Sequence, residues 1–458
     1  MSHDEKASAP SKAATLPPPR GTRRNNRAVI ADSMAQHWPF WLGGLLLVAL
    51  VGLLIVNARS GGETQVERRI ERVHALSDAA FARELGVLLG PPFLDGNRVT
   101  TLINGDEIFP AMLAAIRSAE ISITFETYIY WSGDIGHAFA DALAERARHG
   151  VKVHVLLDWV GSAKMDEQLI KGMKDAGIQV HKFHPPHWSK LGRLNNRTHR
   201  KLLVVDSRLA FTGGVGIAPQ WTGRAQDPLH WRDTHFQVEG PVVAQMQAVF
   251  MDNWIKVTGH VLHGPRYFAP LASGGGMRAQ VFSSSPSGGS ESMQLMYLLA
   301  IGAATRSIDL SAAYFVPDGL TRDALLEALR RGVVLRIVVP GEHIDSDAVR
   351  GASRASWGPL LQAGAVIAEY APTMYHCKVM IVDGLLVSVG STNFDNRSFR
   401  LNDEATLNVL DVDFAAAQTA VFEADLALSH RVSHAEWARR PLRERLHERL
   451  ASLIGSQL

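Results

Sequence analysis

Apolar positions fall along this chain in three ways, and each predicts a different kind of structure. Residues 1–37 are polar. They carry Pro17, Pro18 and Pro19 beside Arg20, Arg23, Arg24 and Arg27, and they show no apolar period. Such a stretch buries too little surface to offset the entropy of ordering, so a disordered tail is expected. The next run, "WPFWLGGLLLVALVGLLIV" over 38–56, has 19 residues and no charge. As a helix it is long enough to cross roughly 30 Å of hydrocarbon, and Trp38 and Trp41 suit an interfacial belt. A cleaved signal fits less well, because "NARSGG" lacks a small-residue cleavage pattern. A single retained transmembrane helix is therefore expected over 38–56. Arginines flank it on both sides (Arg23, Arg24 and Arg27 before; Arg59, Arg68, Arg69 and Arg72 after), so charge assigns no orientation. Residues 57–94 read as a juxtamembrane amphipathic segment, helical near 63–89.

The third pattern is an alternation of helical and strand periods. Apolar positions fit a helix to about Ala119 with a strand from Ile121, then a second helix stopped by Gly150 with a strand over 151–157. The same order returns over 290–319 and in "LTRDALLEALRRGVVLRIVVPG". A Gly-, Ser- and Pro-rich stretch near 270–290 separates the two passes. The period, about 180 residues, is too long for a solenoid and indicates two duplicated lobes. The expected fold class is α/β: two α/β/α lobes, 95–275 and 276–458, with mixed, mostly parallel sheets flanked by helices and sharing one site.

Composition narrows the functions. A 458-residue chain with 46% hydrophobic residues suits two to three domains. The net charge of +2 gives no field favouring nucleic acid. The single cysteine, Cys377, excludes an intramolecular disulfide and a thiolate metal cluster.

The chemistry sits in a motif that occurs twice. "HRKLLVVD" places His199, Lys201 and Asp206 at the spacing that "HCKVMIVD" gives His376, Lys378 and Asp383. Residues i and i+2 of a strand share a face, so each His–Lys pair points one way while Arg200 and Cys377 point the other. Gly213-Gly214 and Gly390 follow, allowing tight turns or close approach of a ligand. Ser391 and Asn393 supply small polar groups suited to a phosphate. Asp233 in "WRDTHFQV" and Glu404 in "NDEATLNV" head a further strand in each half. If strand order repeats, each carboxylate reaches the histidine of its own lobe and orients that ring. Asp206 and Asp383 are grouped with the catalytic set, although a strand-terminal aspartate commonly serves a turn. Glu126 is open between a catalytic and a structural role. His181, His184 and His187 have a ligand-like spacing, but two prolines break any helix that would align them, and a loop over the cleft is the expectation.

Two histidines and two lysines facing one pocket suit a phosphodiester. The lysines hold phosphoryl oxygens; one neutral imidazole attacks phosphorus while the other, protonated, serves the leaving alcohol. No metal or other cofactor is needed, because lysine supplies the electrostatic stabilisation. Both motifs lie in one chain, so no second protein is needed for chemistry. The two histidines predict a bell-shaped pH–rate profile.

On these residues the chain resembles the phospholipase D superfamily and, within it, bacterial cardiolipin synthases. Both H-x-K-x4-D motifs carry the likeness, together with "RLNNRTHRKLLVVD", "WRDTHFQVEGP", "YFVPDG" and "GSTNFDNRSFRLNDEA", over roughly residues 95–430. The resemblance implies a phosphohistidine on His199, with His376 as general acid. It also implies transfer of a phosphatidyl group from one phosphatidylglycerol to another with release of glycerol, in a bacterial cytoplasmic membrane, which the run over 38–56 is expected to cross once. The partners it implies are phospholipids, another lipid alcohol among the conceivable acceptors, and the membrane, with no nucleic acid. Hydrolysis to phosphatidate and a silent lipid-binding scaffold are the alternatives. The chain departs from the family at Gly216, where an Asn is usual, and in having one N-terminal span where many relatives have two.

Overall fold

The computed structural model describes residues 66–185, 195–270, 272–286 and 292–453, with helical pieces at 39–40, 42–48 and 52. The tail expected over 1–37 and much of the expected span over 38–56 lie outside the described residues. Among the described residues no helix is long and apolar enough to cross a membrane. Residues 1–56 and 57–458 are separate compact units, and the sheet belongs to the second.

The first helix of that unit, Ala79–Leu89, falls within the expected amphipathic segment and is capped by the Asp78 carboxylate. The first repeat then supplies strands β1 (Leu94–Ile103), β2 (Ser122–Thr127), β3 (Lys152–Asp158), β4 (Gln179–Phe183), β5 (Arg197–Thr198), β6 (Leu202–Val205), β7 (Leu209–Gly213) and β8 (Thr234–Glu239). The second supplies β9 (Met277–Ser284), β10 (Ser307–Ala312), β11 (Phe315–Val316), β12 (Val334–Pro340), β13 (Val366–Tyr370), β14 (Lys378–Val382), β15 (Leu386–Gly390), β16 (Phe394–Asp395), β17 (Asn402–Leu410) and β18 (Ser429–Val432). One continuous sheet runs β18-β13-β12-β10-β14-β15-β17-β9-β1-β8-β7-β6-β2-β3-β4. Read outward from the β9–β1 junction, both halves have the same order, so the duplication inferred from the sequence is a repeat of strand topology.

The expectation of mostly parallel sheets is corrected. Parallel neighbours occur at β2-β3-β4 and β10-β12-β13, where helices cross over, and in the short pairs β5-β17 and β11-β16. The other neighbours are antiparallel. The physical reason is the turn that closes each motif strand. Asp206 and Ser207 have φ of 51° and 57°, and Asp383 and Gly384 have φ of 54° and 59°. Two successive left-handed residues make a tight hairpin turn, which can join only antiparallel strands.

Helices cover both faces. On one face, the helices Asn104–Arg117 and Asp134–Arg148 pack over the first repeat, and Met293–Ala303 and Gly319–Arg330 over the second. On the other face a single apolar cluster draws on both repeats: Leu202, Val204 and Phe236 with Val379, Ile381, Leu407 and Phe414. Burying each such side chain contributes about 1.5–3 kcal/mol. A one-residue slip of β6 or β14 would also turn its His–Lys pair to the wrong face, so the core that fixes register fixes the aim of the motif.

Buried arginines join the repeats across this core. Arg200 donates to the Glu404 and Ser284 carbonyls at 3.3 Å each and to the Val249 carbonyl at 2.8 Å. Arg232 forms a two-pronged pair with Asp425 at 2.8 and 3.0 Å, and the Tyr375 hydroxyl donates to the same carboxylate at 3.0 Å. Asp425→Ala leaves Arg232 buried without its counter-charge and is expected to cost about 3–5 kcal/mol in chemical denaturation. Arg232→Met combined with Asp425→Leu should recover much of that loss. Equal stability of Asp425→Ala and the parent chain would refute this role for the pair.

Candidate active site

Both motif histidines open into one cleft of about 220 Å³; Lys378, buried against the His376 ring, stands outside its lining. His199 and Lys201 line it from the first repeat; His376 and Asn393 line it from the second. Each histidine is fixed from behind by the residue before it. Thr198 donates its hydroxyl to Glu126 on β2, and the Tyr375 hydroxyl lies 2.8 Å from that of Ser311 on β10. Asn253 donates to the same Glu126 carboxylate at 2.8 Å. Glu126 is fully buried, and burial raises its carboxyl to about 7. It thus stands behind the His199 segment as an anchor, which answers the question the sequence left open.

The assignment of each carboxylate to the histidine of its own lobe is corrected: the pairing is exchanged. His199 Nδ1 lies 2.9 Å from Glu404, and His376 Nδ1 lies 2.7 Å from Asp233. The cause is in the backbone. The His199 amide donates to the Asp403 carbonyl at 2.9 Å, and the His376 amide donates to the Arg232 carbonyl at 2.7 Å. Each motif segment therefore runs alongside the carboxylate-bearing segment of the opposite repeat, β5 beside β17 and Tyr375 beside Arg232. An ionised carboxylate only accepts, so both rings carry their proton on Nδ1 and keep the lone pair on Nε2.

Burial sets the protonation states. It lowers His199 to about 4, Glu404 only partly opposing it. It lowers His376 to about 3, helped by the Lys378 ammonium, which lies 3.2 Å from both ring nitrogens. Lys201 falls to about 7 and Lys378 is also lowered, burial being the main cause in both. Each lysine is tethered by a hydrogen bond to the carbonyl of its own histidine, 2.7 Å for Lys201 and 2.8 Å for Lys378. Burial would raise Glu404 and Asp233, but their histidine and lysine neighbours prevail and hold both below the usual carboxylate range.

Asp206 and Asp383 do not join this set. Asp206 accepts the amides of Glu120, Ile121 and Ser122 at 2.7–2.9 Å. Asp383 accepts those of Thr305, Arg306 and Ser307 at 2.6–2.9 Å, plus the Thr305 hydroxyl at 2.7 Å. They stand at the far ends of β6 and β14, outside the cleft lining. Their grouping with the catalytic residues is corrected: each ties its hairpin turn to a neighbouring loop.

Ser391 and Asn393 differ from each other. The Ser391 hydroxyl donates to Glu404 at 2.5 Å, so it steadies the carboxylate. Asn393 lines the cleft, and its buried carbonyl oxygen has no partner. In the first repeat Gly214 and Gly216 stand at the corresponding positions, for a steric reason. A Cβ on Gly214 would lie 2.3 Å from Asp233 Oδ1; one on Gly216 would lie 2.8 Å from Ile129 and 3.1 Å from the Trp221 ring. The Trp221 indole donates to Asp233 at 2.9 Å, in place of a serine hydroxyl. Its ring and that of Trp231 pack on His376 at 5.3 and 5.4 Å, while Tyr128 packs on His199 at 5.0 Å. The sequence reading missed Tyr128, Trp221, Trp231, Tyr314 and Asp345 as cleft residues. The two glycines opposite Ser391 and Asn393 were the available sign that a large side chain fills the space. Of the three spaced histidines, His181 packs edge-on against Trp254 and His184 stacks on Phe183, while His187 lies outside the described residues.

A continuous mixed sheet duplicated end to end, with paired His and Lys at its seam, defines a phospholipase D-like enzyme. The family described as "Cardiolipin synthase, PLD-like domain" matches residues 112–254 and 297–426. Cardiolipin synthase A of Pseudomonas fluorescens strain Pf-5 is 34% identical over 84% of this chain and 80% of its own length. The probable cardiolipin synthase YwiE of Bacillus subtilis strain 168 is 35% identical over 79% of this chain and 72% of its own. Among solved structures, phosphatidylserine synthase of Haemophilus influenzae Rd KW20 superposes with a TM-score of 0.65 and 14% identity, over 83% of this chain and all of the other. That likeness speaks for the fold. The chain belongs to the cardiolipin synthase family of the phospholipase D superfamily.

The two turn-forming aspartates give a direct test. Asp383→Ala should lower stability by about 1–3 kcal/mol, the cost of leaving buried donors unpaired. The folded fraction should keep its turnover number. A loss of turnover as complete as that of His376→Ala, with unfolding unchanged, would return Asp383 to the catalytic set.

Proposed function

We propose that this protein is a membrane-anchored phosphatidyltransferase that joins two phosphatidylglycerol molecules into cardiolipin and releases glycerol. The observation that carries the reading is the exchanged pairing: two neutral imidazoles, each oriented by the opposite repeat's carboxylate, facing one cleft, with Lys201 in its lining and Lys378 against the His376 ring. His199 Nε2 attacks phosphorus, and the bond to the glycerol oxygen breaks. His376 delivers a proton to that oxygen, leaving a phosphatidyl group on His199. The hydroxyl of a second phosphatidylglycerol then attacks, His376 takes its proton back, and the P–N bond breaks. Lys201 and Lys378 hold the phosphoryl oxygens throughout, and Asn393 offers its amide to the same group.

His376 is neutral in the free protein. The anionic diester offsets the two ammonium charges beside it, so substrate binding itself favours the protonated ring. Residues 38–56 act as a membrane anchor in this reading, with phospholipids as donor and acceptor and no protein partner needed for the chemistry.

Purified full-length protein in phosphatidylglycerol vesicles should yield cardiolipin and glycerol. Phosphatidate and glycerol with no cardiolipin would make the protein a hydrolase. His199→Ala should abolish both product and any acid-quenched phosphoenzyme; a phosphoenzyme surviving in that variant would overturn the nucleophile assignment.

The pH dependence follows from the site. Below about pH 4 His199 gains a proton and loses its attacking lone pair; above about pH 7 Lys201 loses the charge that holds the phosphoryl group. The kcat/KM profile should therefore peak between these values, with the alkaline limb belonging to a lysine. Lys201→Arg, which stays charged, should move that limb upward. An alkaline limb unmoved by this change would contradict the assignment.

A further inference from the structure

The last described helix, Leu442–Leu453, is turned inside out. Its buried residues are Glu448 and Ala451. Glu448 is paired with Arg440 at 2.7 Å and Arg354 at 3.3 Å, and Ala451 meets Gly351 and the small cluster of Val316, Val349 and Ala352. Its leucines face outward: Leu442 is 80% exposed, Leu446 60%, Leu450 58% and Leu453 77%. At about 100° per residue these four share an arc of ~80° opposite the buried face. Arg443 borders the stripe on one side, with Arg445 and Arg449 on the other, and all three are exposed.

We infer that this helix lies in the membrane interface, leucines in the acyl region and arginines at anionic headgroups, and so sets the cleft mouth against the bilayer. A narrow leucine stripe bordered on both sides by arginine is the pattern of an interfacial helix. Four exposed leucines in one line cost solubility unless an apolar phase covers them. The arginine borders match an anionic lipid surface, whereas a second copy would bring the same positive borders against its own. The position fits as well. Ala451 belongs to the same cluster as Tyr314, which lines the cleft and donates to the cleft residue Asp345 at 2.8 Å. The choice of bilayer over protein rests on the lipid substrate proposed above.

The test uses the full chain reconstituted in phosphatidylethanolamine–phosphatidylglycerol vesicles. The sole native cysteine, Cys377, is 1% exposed, so a cysteine placed at Leu446→Cys takes an environment-sensitive fluorophore selectively. Its emission should shift to the blue and lose most of its intensity to spin labels in the acyl chains, while aqueous iodide leaves it unaffected. The same label at Val334→Cys, at the end of β12 remote from the cleft, should stay open to iodide. Iodide quenching of position 446 in vesicles would overturn the inference. Energy transfer between labelled chains at dilute protein would also overturn it, because a second copy would then cover the stripe. Lipid turnover is read separately: an embedded label without cardiolipin formation supports the docked helix and counts against the reaction.

Discussion

The site depends on one interaction, the hydrogen bond from each imidazole to the carboxylate of the other repeat. His199 cannot be oriented without Glu404, nor His376 without Asp233. Neither half can make a working site alone, even though each carries its own motif. This explains why the repeats are fused into one sheet and sealed by one shared core, with the Arg232–Asp425 pair crossing between them. A loose hinge between lobes would separate ring from carboxylate, so the shared core and the Arg232–Asp425 pair that hold the repeats together also hold that hydrogen bond.

The same exchange balances charge. In the free cleft two ammonium groups face two carboxylates, with both rings neutral. Buried charges are tolerable only when paired, and this set is paired across the seam. Adding a diester anion breaks the balance in the direction that protonates an imidazole. At His376 the Lys378 ammonium lies against both ring nitrogens and helps to hold the ring neutral, so an anion that offsets that ammonium relieves His376 directly. In the proposed mechanism ligand binding thus supplies the acid that the free site lacks.

Much of this was legible from residue types and spacing. The duplicated H-x-K-x4-D run and the helix–strand alternation follow from local periodicity, and the structure repeats them. Three features were not. Local alternation says nothing of how distant strands meet, so the parallel contacts of Arg197–Thr198 with Asn402–Asp403, which exchange the carboxylates, left no trace in either segment. The antiparallel share of the sheet did leave one: Asp383-Gly384 between two apolar runs is a hairpin signal, and the dominance of helix–strand alternation obscured it. Asp206 and Asp383 share a motif with the catalytic pairs because the strand between them sets a fixed length, the turn at one end and the chemistry at the other.

What breaks the two-fold relation gives the site its direction. A symmetric pocket would let either histidine attack. Here the second repeat offers Ser391 and Asn393 beside Glu404, so the His199 side presents a polar surface on which the Asn393 side chain can turn its NH2 toward an anion. The first repeat has given up both groups. Gly214 and Gly216 leave room that Trp221 fills, its indole steadying Asp233 and its ring, with Trp231, walling His376. A phosphoryl group is better solvated on the amide side, and the carbon skeleton of an alcohol is better packed on the tryptophan side. The departure at Gly216 therefore does not signal a failing site. With Trp221 it forms a compensated pair of changes, and in the proposed mechanism that pair separates the end where phosphorus is attacked from the end where the alcohol arrives and leaves.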